Sequence, residues 1–221
     1  MKSDQRQKAF SNFVVPDQGR ISKVYDWLAR AGRFDGEAVD VLEIGYAQGG
    51  LLDRLAGRKN TRLYACDVNE RETPEGVTFI RADFNGAAPD FGGVKFDVVF
   101  AGEFIEHMYD DAKFLAEARD LLKPSGILAL TTPNLFFLAS RLAFPFGVFP
   151  FMAHAPFHYH YYDVRSLSGL LENAGLRLVK IRSSHILIST RMNRPLGRIC
   201  EFLGDVFPSF GAHIIVFAVK K

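Results

Sequence analysis

The chain has 221 residues, 48% of them apolar, and a formal net charge of +2. That length supplies one α/β domain with a full core, and a charge so near balance argues against a nucleic-acid partner. The two cysteines, Cys66 and Cys200, have no metal or redox spacing, which fits a reducing, cytoplasmic setting, and residues 1–13 are polar and charged, unlike a secretory leader.

Residues 1–19 read as a poorly specified arm. Over 20–31, Ile21, Val24, Tyr25 and Leu28 recur at helical spacing and Gly32 closes the run. Residues 39–45 carry Val39, Val41, Leu42 and Ile44, a short apolar run that suits a strand buried on both faces of a parallel sheet. Gly45, Ala47, Gly49 and Gly50 follow, then a helix over about 49–56. Small residues let a ligand approach the backbone, and a helix start offers unpaired N–H groups, so a nucleotide-like cofactor suits this turn. A second strand over 61–67 ends on Asp67, whose carboxylate can accept from a ribose diol.

A third strand spans 77–82, before Asp83 and Phe84, and a fourth spans 96–101, before GEFIEHMYD. A helix over 111–122 stops at Lys123-Pro124-Ser125-Gly126, and strand five runs over 127–132 up to Pro133-Asn134. Residues 135–157 hold seven phenylalanines, but Arg141, Pro145, Gly147 and Pro150 interrupt them too often for a spanning helix. The spacing then predicts a helix over 165–173, a strand over 176–182, a helix over 196–203 and a last strand over 213–219. His154 and His213 read as ordinary.

Two stretches carry a resemblance. The spacing Glu43-x-Gly45-x-Ala47-x-Gly49 resembles the first motif of class I S-adenosylmethionine (SAM) methyltransferases, E/D-x-G-x-G-x-G, with Ala47 at the middle glycine. The stretch FDVVFAGEFIEHMYDDAKFLAEARDLLKPSGILALTTPN is similar to ubiquinone-biosynthesis O-methyltransferases and their small relatives, which carry E-x-x-E-H, L-K-P-G-G and T-P-N; Ser125 replaces a usual glycine. HYHYYDVRSLSGLLENAG extends the likeness. The resemblance implies a Rossmann-like, doubly wound, seven-stranded sheet with helices on both faces, mostly parallel, its seventh strand antiparallel between strands five and six. It implies a SAM site formed by Glu43, Gly45, Tyr46, Ala47, Gly49, Asp67, Val68, Asp83, Phe84, Gly102 and Glu103, with Asp83 at the exocyclic amine and Phe84 on the adenine face.

Methyl transfer from a sulfonium is an in-line displacement, so the protein must position the acceptor and, where needed, take its proton. On a helical turn Glu103, Glu106 and His107 share one face. Two readings follow: a divalent cation site for Mg²⁺ or Mn²⁺, or His107 as base with orienting partners. The resemblance adds His158 as a further metal ligand, with His160 next. The leading expectation is methylation of a small-molecule hydroxyl on a glycan, lipid-linked or natural-product intermediate. Metal-dependent RNA 2′-O-methylation and a non-catalytic SAM-binding module are the alternatives. The aromatic segment at about 135–160 is expected to cap an apolar acceptor, and Arg141 among its rings admits peripheral contact with a membrane.

Overall fold

A computed structural model describes residues 18–46, 50–87, 89–148, 157–187 and 194–221. Ala47, Gly49, Pro150 and His154, singled out above, lie outside them, as do Phe149 and Phe151 of the seven phenylalanines. In chain order the elements are α1 (Gln18–Arg30), β1 (Val39–Ile44), α2 (Leu51–Leu55), β2 (Thr61–Asp67), β3 (Val77–Arg81) and β4 (Phe96–Gly102). Then come a 3₁₀ turn (Ile105–His107), α3 (Asp111–Leu121), β5 (Leu122–Pro133), α4 (Leu138–Ala143), α5 (Val164–Asn173), β6 (Leu176–Ser183), α6 (Arg194–Val206) and β7 (His213–Lys220).

The strands form one seven-stranded sheet in the order β3-β2-β1-β4-β5-β7-β6. All neighbours are parallel except β7, which runs antiparallel between β5 and β6. All six residues of β1 are buried, as a central parallel strand covered on both faces requires. Period-two alternation divides them. Val39 and Val41 meet α1 and α2 through Val24, Leu28, Leu51 and Leu55, whereas Leu42 and Ile44 join the opposite core, which holds Phe114, Leu115, Leu167 and Leu171 of α3 and α5. Burying each such side chain contributes about 1.5–3 kcal/mol.

One boundary departs from the spacing. Strand five begins at Leu122 and not at Ile127: Phe96 pairs Leu122, then the register jumps so that Val98 pairs Ile127. The residues between bulge out, and the bulge is anchored where Lys123 Nζ reaches Asp40 (2.8 Å) and Asp97 (2.6 Å). A proline and a glycine interrupt the apolar run there, and that interruption hides the continued pairing from periodicity alone.

The parallel register brings the C-terminal ends of β1, β2, β4 and β5 to one edge, since Ile44 pairs both Cys66 and Ala101 while Gly102 pairs Thr131. Because β7 is antiparallel, its first residue arrives at that same edge, His213 opposite Pro133.

Candidate active site

At the end of β1 the chain turns through Gly45, whose φ of +74° favours glycine. The N–H groups of Gly45 and Tyr46 both donate to the Cys66 carbonyl, at 2.8 and 3.1 Å. This ties the turn to β2 and sets Asp67 beside it. The Asp67 carboxylate accepts from the Asn69 N–H (2.7 Å), and burial pushes its pKa up against that bond and nearby Arg71. Val68 next to it is exposed, as is Asp83 beyond β3, which accepts from the Asn85 N–H at 2.9 Å. Asp67, Val68 and Asp83 therefore face solvent at least in part, on the edge where the resemblance places the cofactor.

Three side chains expected at the cofactor turn inward instead. The Tyr46 ring is buried in the core beside α1 and α2, its hydroxyl 3.2 Å from Asp53 Oδ1. Phe84 is buried and meets Phe104 and Phe114 in T-shaped contacts, so its ring belongs to the core. Glu43 is buried too, and its carboxylate accepts from the Leu52 N–H (2.9 Å) at the start of α2, packed against Gly50. It holds the turn from below.

Burial pushes the Glu43 carboxyl up from 4.5 to about 7, against the Leu52 hydrogen bond. A raised folded-state pKa means the stability it confers is full below about pH 4.5 and is lost as pH climbs to about 7. The span corresponds to about 3 kcal/mol. Glu43→Gln keeps an acceptor for Leu52 and removes the titration, so the fall in urea-unfolding stability between those pH values is expected to shrink by most of that amount. An unchanged slope would reassign the titration to another group.

Beyond β4 the chain makes a strained corner. Glu103 has φ +52° and Phe157 φ +68°, the two non-glycine residues with positive φ among the described ones. Strain of this kind persists only where surrounding structure over-determines it. Both residues flank the 3₁₀ turn that carries Glu106 and His107.

The expected shared face of Glu103, Glu106 and His107 does not form, because the chain there is a single 3₁₀ turn beginning after Glu103. The Glu103 carboxylate turns toward α1. Arg20 Nη1 reaches its Oε1 at 2.7 Å and also donates to Thr131, while His213 Nε2 lies 3.5 Å from Oε2. Burial opposes its ionisation, but Arg20, with His213, Thr131 and His107, holds its pKa below the usual carboxylate range.

Glu106 goes the other way. It is buried, its Oε2 accepts from Thr132 (3.0 Å), and its Oε1 is buried with no hydrogen-bond partner among the described residues. Burial and the charge of Glu103 push its pKa well above the usual range. The Glu106 carbonyl accepts from the Tyr159 N–H (2.8 Å) and the His160 N–H (3.3 Å), which folds the histidine- and tyrosine-rich segment back onto the turn. His158 thereby meets His107 edge-on at 4.8 Å between ring centroids. One ligand atom from each of Glu106, His107 and His158 lies within 4.8 Å of the others, and Glu103 is not in that group. His160 is turned away, its Nδ1 3.5 Å from Asp111.

His107 Nδ1 lies 2.9 Å from the Phe157 carbonyl. A carbonyl only accepts, so the proton sits on Nδ1 and Nε2 carries the lone pair. Burial pushes this imidazole down to about 4, against that hydrogen bond, so it is neutral at neutral pH. The corner thus presents a neutral imidazole, a second imidazole and a carboxyl oxygen without a partner among the described residues, a donor set that suits a divalent cation or an acceptor hydroxyl.

Arg20, Thr131, Thr132 and His213 belong to this site and were not among the residues singled out for it. Arg20 sits on an ordinary amphipathic helix, and the threonines end an apolar strand. His213 was detectable, since an antiparallel strand seven beside strand five sets its first residue next to the last of strand five.

Residues 17–181 match the model of a methyltransferase domain family. A ubiquinone biosynthesis O-methyltransferase of Cereibacter sphaeroides is 32% identical over 108 residues, covering 44% of this chain and 42% of that protein. Its counterpart from Ruegeria pomeroyi is 31% identical over 129 residues, 49% of this chain and 51% of that one. The matched stretch spans about half or less of these relatives' length. A SAM-dependent methyltransferase of Archaeoglobus fulgidus superposes with a TM-score of 0.57 at 20% identity, covering 90% of this chain and 94% of that one. The sheet order, the antiparallel seventh strand and the family match agree, and the chain belongs to the class I SAM-dependent methyltransferases.

Proposed function

We propose that the protein methylates a hydroxyl of a small apolar or lipid-linked molecule, with Glu106, His107 and His158 holding a divalent cation, Mg²⁺ or Mn²⁺, against that hydroxyl. The observation that carries this reading is the buried Glu106 Oε1, without a hydrogen-bond partner among the described residues, beside two imidazoles. A buried polar atom without a partner is costly, and a bound cation would satisfy it. Such an ion supplies Lewis-acid polarisation of the hydroxyl when present. Similarity to ubiquinone biosynthesis O-methyltransferases supports oxygen as the acceptor atom.

SAM supplies an electrophilic methyl group. The residues available to it on the sheet edge are Asp67 for the ribose diol, with Val68, Asp83 and the Gly45 and Gly102 backbones beside it. Charged hydrogen bonds contribute about 1.5–3 kcal/mol, so Asp67→Ala is expected to weaken SAM binding about tenfold or more. Calorimetry showing unchanged affinity in the folded variant would remove Asp67 from the site.

We assign residues 135–160 to a cap on one domain spanning 20–221. In the described part, α4 and the turn after it expose Leu142 and Phe146, and Gly147 (φ +72°) ends that turn. An apolar acceptor suits those side chains.

The locked tautomer of His107 supports a second reading, in which Nε2 takes the hydroxyl proton without a cation. Titration with Mn²⁺ followed by electron paramagnetic resonance separates the two. The cation reading expects stoichiometric binding that Glu106→Gln and His158→Ala abolish. Absent Mn²⁺ binding, with turnover that resists chelator and disappears in His107→Ala, would leave the base reading.

A further inference from the structure

Helix α6 is seated the unusual way round. The residues it buries are small, Gly197, Cys200 and Gly204, and the large apolar ones point out. Leu196, Ile199, Phe202 and Val206 are 44%, 56%, 66% and 49% exposed and recur every three or four residues, so they line one face. Phe207, also exposed, extends the face beyond the helix. Its ring lies 6.2 Å from that of Phe210, over which Arg141 of α4 is stacked at 4.7 Å. Through this stack α4 meets the segment that follows α6.

The exposed charged residues of α6 are both cationic. Arg194 and Arg198 are exposed on α6 itself. Of the acids of the helix, Asp205 is paired with Lys23 (3.2 Å) and Arg182, and Glu201 is partly buried. Beside Asp205 opens a cavity of about 330 Å³ lined by Trp27, Arg30, Lys180 and Arg182, three cations against one carboxylate.

We propose that α6 is a membrane-docking element that lies on an anionic lipid bilayer, its apolar face in the acyl boundary and the Arg30–Lys180–Arg182 cavity receiving a headgroup phosphate. Apolar residues flanked by arginines are the pattern of an interfacial helix, and the anionic leaflet complements the charge. A symmetric dimer through the same face would set Arg194 and Arg198 against their own copies. Among the described residues no helix is long and apolar enough to cross a membrane, so the contact is peripheral.

The test is co-sedimentation of the full chain with phosphatidylcholine vesicles, with and without phosphatidylglycerol. Binding is expected with phosphatidylglycerol and is expected to weaken with salt. Phe202→Glu should lower partitioning about tenfold or more. R194E and R198E, exposed and without a role in the core, should each lower it about fivefold with an unchanged melting temperature, and they serve should Phe202→Glu not fold. Arg30→Glu with Lys180→Glu should remove most of the preference for phosphatidylglycerol. Equal binding to neutral and anionic vesicles would overturn the proposal. So would an absence of vesicle binding together with a concentration-dependent dimer that R194E leaves intact.

Discussion

His107→Ala is expected to reduce methyl transfer by about 10²–10⁴-fold while leaving the affinity for S-adenosylhomocysteine unchanged. The reason is local. The imidazole is fixed by its Nδ1–H bond to the Phe157 carbonyl, burial keeps it neutral, and Nε2 is the atom left to meet a cation or take a proton in the proposed function. Neither role bears on the cofactor end of the sheet, where Asp67 stands at the tip of β2. The loss should therefore appear in turnover and not in cofactor binding. Glu106→Gln is expected to behave like His107→Ala if a cation is held, because both remove a ligand. It should be milder if His107 acts alone. Full activity in a Glu106→Ala, His107→Ala double variant would exclude both roles.

The second large effect concerns stability and has an internal control. An alanine Cβ at Gly204 would overlap the backbone carbonyl oxygen of Ser184, which no side-chain rotation relieves. Overpacking against backbone costs about 3 kcal/mol, or roughly 6–12 °C in melting temperature for a domain of this size. Gly169 sits inside α5 with nothing within 4 Å of an added Cβ. There the usual helix preference decides, and Gly169→Ala is expected to stabilise by about 0.5–1 kcal/mol. Equal effects of the two variants would show that α6 is not seated as closely as the Gly204 contact requires. Thermal melts of the two proteins decide the matter.

Much of the fold was legible because its strands are buried on both faces. Runs such as VDVLEI and FDVVFA suit a covered parallel sheet, and the structure adds the caps Asp110 and Asp163 at the starts of α3 and α5. The strand-turn-helix at Gly45 and the acid ending β2 were legible for a related reason, since backbone geometry restricts which residues stand there. What an individual polar side chain does at the site was less legible. Tyr46, Glu43 and Phe84 stand in cofactor-motif positions, but each finds a better partner inward: Asp53, the Leu52 N–H and the Phe104–Phe114 pair. Sequence spacing sets where Cα lies and says little about which of two neighbouring environments a rotamer chooses.

The amino-acid sequence by itself determined the strand and helix order, because apolar periodicity and turn residues act locally, and its motifs identified the family. Only the tertiary structure decided which side chains meet. It parted Glu103 from Glu106, joined His107 to His158 across 51 positions of chain, and delivered Arg20 and His213 to Glu103. It also turned the large side chains of α6 outward and buried its small ones, and at Gly204 even a Cβ would overlap the Ser184 carbonyl just past β6. Each of these depends on packing between segments far apart in the chain, where the close approach of two backbones, and not the pattern of either one, selects the contact.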